Sequence, residues 1–245
     1  GILLVFLFTL LHEASHQTPF RSRWLNEIAA TVCGFVIVLP PRWFRYFHFA
    51  HHRYTQIPGK DPELAEQKPE TWGQYLLYVS GIPVWISHFR TLLSNAAGRC
   101  EDEFVPQAKR AAVHKEARLM LAAYLVLLIG SLALGSTVLL HIWLIPMLIG
   151  QPFLRLYLLA EHGRCAYVAN MLENSRSTAT NALVRRLAWN MPYHAEHHSY
   201  PAVPFHKLPE LNRLAAEHLM VTETGYARFH ARYAPHINGV ADPAE

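Results

Sequence analysis

Residues 119–154 read LMLAAYLVLLIGSLALGSTVLLHIWLIPMLIGQPFL and contain no Asp, Glu, Lys or Arg. At a rise of about 1.5 Å per residue, one straight helix of this length would far exceed a hydrocarbon core of about 30 Å. The run must turn, and Gly135-Ser136 is the favoured place. It therefore reads as two antiparallel spans, about Leu119–Leu134 and Thr137–Leu159. The competing reading is a buried hairpin in a soluble core, but uncharged runs this long are rare in soluble helices. Arg110, Lys115 and Arg118 precede the first span, Arg155 and Arg164 close the second, and the turn carries no basic residue. By the positive-inside rule both outer ends face the cytoplasm.

The composition agrees. The chain has 245 residues, 51% hydrophobic and only 16% charged, where a soluble domain carries about a quarter. Disorder, collagen and a disulfide miniprotein are excluded. Cys33, Cys100 and Cys165 are few and scattered, without a CxxC pair, as expected in a reducing compartment. A net charge of +4 first suggests nucleic acid, but its placement around the apolar run reads as membrane topology, and no nucleic-acid partner is expected. Residues 1–11 are uncharged yet too short to span, and Gly1 lies inside an apolar run. Part of the membrane domain is therefore expected to precede it.

Elsewhere the signals are weaker. Ile28–Pro41 is apolar but short, suiting an interfacial or re-entrant segment. Thr71–Phe89 reads equally as an interfacial helix pair or a marginal span. Residues 53–70 form a connection containing Pro and charge, 99–118 a solvated helix, and about Leu208–Leu219 an amphipathic helix.

Sixteen histidines nearly match the 18 acidic residues, and they cluster. His12-Glu-Ala-Ser-His16, His48-Phe-Ala-His51-His52 and His194-Ala-Glu-His197-His198 form three groups, and His162 closes the long apolar stretch. On a helix, residues i, i+3 and i+4 share a face, so His12 and His16 can point at one ion. In each HxxHH group the first histidine shares a face with the second and third, while the adjacent pair diverges by about 100° and can serve two metals. This is too many imidazoles for one tetrahedral zinc, and two metals of higher coordination number fit better. Neutral imidazole suits iron, zinc, copper and nickel alike. His88, His114, His141, His206, His218, His230 and His236 read as ordinary surface or core residues. His12-Glu13-x-x-His16 alone would match a zinc protease motif with Glu13 as base, but that leaves two clusters idle. A metal store or transporter would require acidic or histidine residues along the spans, and only His141 lies there.

Together HEASH, HFAHHRYTQ and NMPYHAEHHSYPAVPFHKLP closely resemble the three histidine boxes of the membrane fatty acid desaturase superfamily. The resemblance runs from about His12 to Leu208 and includes the apolar hairpin between the second and third boxes, Asp61-Pro62 after the second, and Pro201 and Leu208-Pro209 after the third. It implies an all-α, polytopic membrane helical bundle with a cytoplasmic cap carrying the boxes. Residues 1–206 would form the membrane domain and 207–245 a cytoplasmic helix and tail. It further implies a non-haem di-iron centre that activates O2 and attacks an unactivated C–H bond. Carried over by position, the metal ligands are His12, His16, His48, His51, His52, His162, His194, His197 and His198. Asn190, four before His194, is a candidate to hold a metal-bound water or an imidazole. Glu13, Glu161, Glu196 and Asp61 are candidates to fix histidine tautomers by accepting N–H bonds.

The function expected is an O2-dependent fatty acyl desaturase, with a di-iron hydroxylase or ketolase of a lipid or carotenoid as the alternative. The chain carries no flavin, NAD or fused cytochrome motif, so electrons would come from a separate ferredoxin-, rubredoxin- or cytochrome b5-like donor. Arg42, Arg45, Arg53, Arg185 and Arg186 could dock an acidic donor or face lipid headgroups.

Overall fold

The structure is a computed structural model and describes residues 1–66 and 68–238. The end of the expected C-terminal segment, residues 239–245, lies outside them. In chain order the helices are α1 (Ile2–Val5), α2 (Leu7–Ser15), α3 (Arg23–Val36), α4 (Pro41–Tyr54), α5 (Trp72–Ser80), α6 (Ile82–Ala96), α7 (Gln107–Ala133) and α8 (Ile145–His162), the last preceded by a π-helical turn at Leu140–Leu144. After α9 (Met171–Asn174) come a strand β1 (Ser177–Ala179), α10 (Ala182–Leu187), α11 (His194–Ser199), α12 (Leu208–Ala215), a second strand β2 (Thr222–Thr224) and α13 (Tyr226–Tyr233). Apart from that strand pair the fold class is all-α, as the sequence implied.

Among the described residues two helices are long and apolar enough to cross a membrane, Gln107–Ala133 and Leu140–His162, and the bent pair Arg23–Val36 and Pro41–Tyr54 makes a third if it is one span. The first two meet at the expected turn, where Gly135 takes a positive φ of 57° that glycine alone adopts without strain. Val126, Ile129 and Leu132 are 68%, 64% and 72% exposed. A soluble hairpin would bury that face, so lipid is its natural solvent. The helix that carries the first span begins upstream of Leu119, at Gln107, and continues from the solvated stretch without a break.

The chain divides into two compact units. One comprises Gly1–Phe49 and Ile82–Gln151, the other Ala50–Gly81 and the chain from Pro152 onward. In the first unit α2 packs on α3 and α6 on α7. Val38, Leu92, Ala117 and Met120 form its core, with Phe35, Trp85 and Tyr124 against them. A helix end leaves backbone carbonyls without partners. Tyr124 Oη donates to Phe35 O at 2.6 Å and Trp143 Nε1 to Val36 O at 2.8 Å, so aromatic side chains cap α3. Here the Ile28–Pro41 segment bends, and α3 and α4 meet at 101°. A Cβ on Gly34 would lie 2.5 Å from Leu39 O, so the bend needs glycine there, and Pro41 opens α4 in the position where its missing N–H costs nothing.

Thr71–Phe89 forms two helices rather than a span, α5 in the second unit and the start of α6 in the first. Thr71 and Gln74 form a reciprocal capping box at the start of α5, and Gly81, with φ 74°, ends it. Leu159, Ala160, Phe229, Tyr233 and Ile237 make the core of the second unit, packed by Tyr75, Tyr78 and Tyr226. β1 pairs with β2 in parallel, Ser177 opposite Thr222. The buried Arg176 guanidinium donates to Ala160 O at 2.5 Å and to Gly163 O at 2.9 Å, capping the end of α8, and stacks on Phe229 at 4.7 Å. The amphipathic helix expected over Leu208–Leu219 stops at Ala215 and tightens into a 3-10 turn at Ala216–His218. His230 is an ordinary packed histidine. Its Nε2 donates to Leu156 O at 2.9 Å while Nδ1 accepts from Tyr75 Oη at 3.0 Å.

Candidate metal centre

Within the first unit, three histidines converge. His12 lies on α2, His16 follows as its C-terminal cap, and His48 lies on α4. One ligand nitrogen from each lies within 4.8 Å of the others, and His16 Nε2 and His48 Nε2 are 2.7 Å apart. Phe44 stacks on His48 at 5.4 Å, with the rings 9° from parallel. Burial and the nearby Arg45 guanidinium lower the pKa of His16 to about 4, so its ring is neutral at physiological pH. Glu13, fully buried, accepts from Thr18 Oγ1 at 2.9 Å. Arg45 pairs with Glu27 at 2.9 Å and Arg42 with Glu116 at 3.4 Å.

The second unit holds a fuller set. His51, His162, His194 and His198 are all buried, with one nitrogen of each within 4.8 Å of the rest. Their partners fix the tautomers. The Asn174 carbonyl can only accept, so His162 Nδ1 donates to it at 3.0 Å. His51 Nδ1 donates to Asp61 Oδ1 at 2.9 Å. Thr55 gives its hydroxyl proton to His51 O at 2.7 Å, so the same oxygen accepts from His198 Nδ1 at 3.0 Å. Each of these three rings, when neutral, therefore presents a bare lone pair at Nε2. Burial and the surrounding imidazoles hold the His198 pKa well below its ordinary value, which keeps that ring neutral.

These lone pairs face each other. His162 Nε2 lies 3.2 Å from His51 Nε2 and 2.9 Å from His194 Nε2. Two nitrogens bound to one metal at about 2.1 Å and at right angles would be about 3.0 Å apart. The donor set thus fits a metal ion by spacing, and by protonation at His198; at His51 burial opposes the charged form, but Glu63 and Asp61 raise the pKa on balance. His52 and His197 point elsewhere. Their rings are 4.9 Å apart, and His52 stacks on His198 at 4.1 Å. Adjacent histidines thus part company in both HxxHH segments.

The supporting residues are partly those singled out from sequence. Asp61, besides holding His51, accepts from Gln56 N and Glu63 N at 2.8 and 2.9 Å. Glu161 Oε1 lies 3.5 Å from His194 Nδ1. Glu196 accepts from Ser177 at 3.0 Å and also from Asn212, which ties α11 to β1 and α12. Burial raises its pKa despite those bonds. Asn190, with φ 57°, donates its amide to Phe205 O at 3.0 Å, so here it shapes the approach to α11. Arg185 donates to Tyr193 Oη at 2.8 Å.

Thr55, Asn174 and Glu63 were not found by the sequence reading. Thr55 had a usable signal, since it stands four after His51 on the same helical face. Asn174 had none, because it acts partly through its backbone carbonyl. Glu63 Oε2 lies 3.4 Å from His51 Nε2, and Oε1 lies 2.5 Å from Lys68 Nζ. Burial opposes charge on Glu63, but the Lys68 ammonium and the imidazoles of His51 and His162 hold it well below the usual carboxylate range. Lys68 is likewise disfavoured by burial and raised by Glu63. Replacing Thr55 by Val should weaken metal binding 10- to 100-fold, the usual effect of losing an imidazole's outer partner. Chelator competition measures this, and Thr55→Ser should stay near the parent.

A family model described as fatty acid desaturase matches residues 1–232. The chain belongs to the fatty acid desaturase family. Among its curated relatives, a sphingolipid delta(4)-desaturase of Drosophila melanogaster is 29% identical over 89% of this chain and 64% of its own length. A dihydrorhizobitoxine desaturase of Bradyrhizobium elkanii is 26% identical over 93% of this chain and 67% of its own. A beta-carotene ketolase of Haematococcus lacustris is 25% identical over 89% and 63%. The chain thus spans roughly two thirds of the length of the relatives it matches. Membership in this family and the clustered imidazoles agree on a metal site in a membrane protein.

Proposed function

We propose that this desaturase-family chain is a membrane di-iron oxidoreductase that introduces a C=C bond into a fatty acyl chain of a lipid. The observation that carries this reading is the buried imidazole quartet, with His162 Nε2 at 3.2 Å from His51 Nε2 and 2.9 Å from His194 Nε2, and one nitrogen of each of the four rings within 4.8 Å of the rest. His51, His162, His194 and His198 would hold one iron, and the other histidines of the three boxes, carried over from the sequence resemblance, are the candidates for the second. Two bound irons would supply the reduction of O2 to two waters, with two hydrogens taken from adjacent methylenes and two electrons and two protons from outside. The residues of the chain supply the rest. Asp61, Thr55 and the Asn174 carbonyl accept Nδ1–H bonds and so set the tautomer in which a neutral ring offers its lone pair at Nε2.

The basic residues at the ends of the hairpin, with none in its turn, support a cytoplasmic placement of the boxes. A separate ferredoxin-, rubredoxin- or cytochrome b5-like donor would meet the centre from that side. A second reading, hydroxylation or ketolation, is supported by the similarity to the ketolase and to a human relative whose name pairs desaturase with C4-monooxygenase, 26% identical over 85% of this chain and 61% of its own length. Product analysis decides between them. The full-length gene, expressed in a host with an endogenous donor, should yield new double bonds that His197→Ala abolishes. Hydroxy- or keto-lipids instead would favour the second reading, and unchanged products in the variant would reject both.

A further inference from the structure

The segment after the second histidine box brings a carboxylate to the imidazole quartet. Asp61 caps the 3-10 turn Pro62–Ala65 through the Glu63 amide, and the turn directs Glu63 back toward His51. Because His51 donates its Nδ1 proton to Asp61, a neutral His51 meets Glu63 with a lone pair. A carboxylate has only lone pairs to offer in return. At 3.4 Å this contact is not a hydrogen bond between neutral imidazole and carboxylate. A shared cation satisfies both groups. If that cation is a proton, an imidazolium sits 3.2 Å from His162 Nε2 and accounts for one contact. A metal ion bound by the four imidazoles, whose nitrogens lie within 4.8 Å of one another, would be approached by Glu63 from the His51 side, where its Oε2 lies 3.4 Å from His51 Nε2.

We propose that Glu63 is a ligand of the metal ion held by His51, His162, His194 and His198, with Lys68 holding its other oxygen. The inference rests on the metal-centre reading above. Charge supports it. A divalent ion among four neutral imidazoles is an uncompensated buried charge, and Glu63 offsets part of it. The Glu63–Lys68 contact fixes which oxygen remains for the metal. Lys68 and His162 also line a cavity of about 400 Å3, together with Leu64, Glu70 and Tyr233, so small chelators have a route to this side.

The test uses the full-length protein loaded with Fe(II), and separately with Co(II), whose visible absorption reports its ligands. Metal per chain, the rate of loss to excess chelator and the Co(II) spectrum are compared for the parent, Glu63→Ala, Glu63→Asp and Lys68→Met. Glu63→Ala should lose one of two metals at least 10- to 100-fold faster, the range for outer partners being a floor for a ligand, and its spectrum should change. Glu63→Asp keeps the charge and the turn but withdraws the carboxylate by one methylene. It should behave likewise, and it decides the matter if the alanine variant does not fold. Lys68→Met, which removes the group that holds the other oxygen and leaves the ligand itself, should lose that metal faster than the parent but more slowly than Glu63→Ala, with a smaller change in the spectrum. The inference is overturned if both Glu63 variants match the parent in count, rate and spectrum, or if Lys68→Met alters the spectrum as much as they do. A parent that binds no metal would overturn the metal-centre reading and this inference with it.

Discussion

Replacing His162 by alanine should cut bound iron from two per chain to one and reduce product below about 1% of the parent. The expectation follows from position. His162 Nε2 lies between those of His51 and His194, at 3.2 and 2.9 Å, and its ring is 4.8 Å from that of His198. Losing an imidazole's outer partner already weakens metal sites 10- to 100-fold, and His162→Ala removes the donor nitrogen itself. The chain should still insert and fold, because the exposed apolar faces that meet lipid lie outside this cluster. His230→Ala is the matched control: it removes a packed histidine of the same unit that bonds Leu156 and Tyr75, and should leave both irons in place. Metal analysis of the purified proteins checks the pair. A His162→Ala protein that still holds two irons would show that this residue is not a ligand.

Asn174→Ala should be the most destabilising single change in the second unit. The residue is fully buried. Its amide donates to Thr55 O at 3.0 Å and Val168 O at 2.9 Å, and its Oδ1 accepts from Ser175 at 2.8 Å. Alanine leaves the buried Thr55 carbonyl and the buried Ser175 hydroxyl without these partners, while the Val168 carbonyl belongs to an exposed residue. At about 1–3 kcal/mol for each of the two buried groups, the cost is about 2–6 kcal/mol. For a domain of this size that lowers the midpoint of thermal unfolding by roughly 5–15 °C. A thermal melt in detergent measures it, and a fall of less than about 2 °C would mean the three bonds are replaced by water. Asn174 also positions the backbone carbonyl that fixes His162, so metal retention should drop in the same variant.

The hairpin and the histidine clusters were legible because each is a local signal. An uncharged run has a length, and HxxHH has a helical phase. The bend after Val36 was half legible, since a short apolar run ending at Pro40-Pro41 pointed to a break but not to a second helix. The protonation of the site was not legible at all. Which nitrogen of His198 carries the proton depends on Thr55, 143 positions away, and that of His162 depends on a backbone carbonyl. Glu63 was hidden by its company, being one acidic residue in a connection that read as solvated. The pairing of β1 with β2 was equally invisible, because three-residue strands carry no usable alternation.

That strand pair has a temporal consequence. Asn212 holds Glu196, Thr222 pairs with Ser177, Phe229 supports Arg176, and Ile237 closes the core. The third histidine box ends at His198, so the groups that lock it are synthesised about 40 residues later. At about 5–20 residues per second, a ribosome needs roughly 2–8 s to deliver them. Both spans of the hairpin have by then left the peptidyl-transferase centre. This half of the metal site is therefore completed only after residues 212–237 have been made, and a nascent chain cannot hold the His198 end of the quartet until they have emerged.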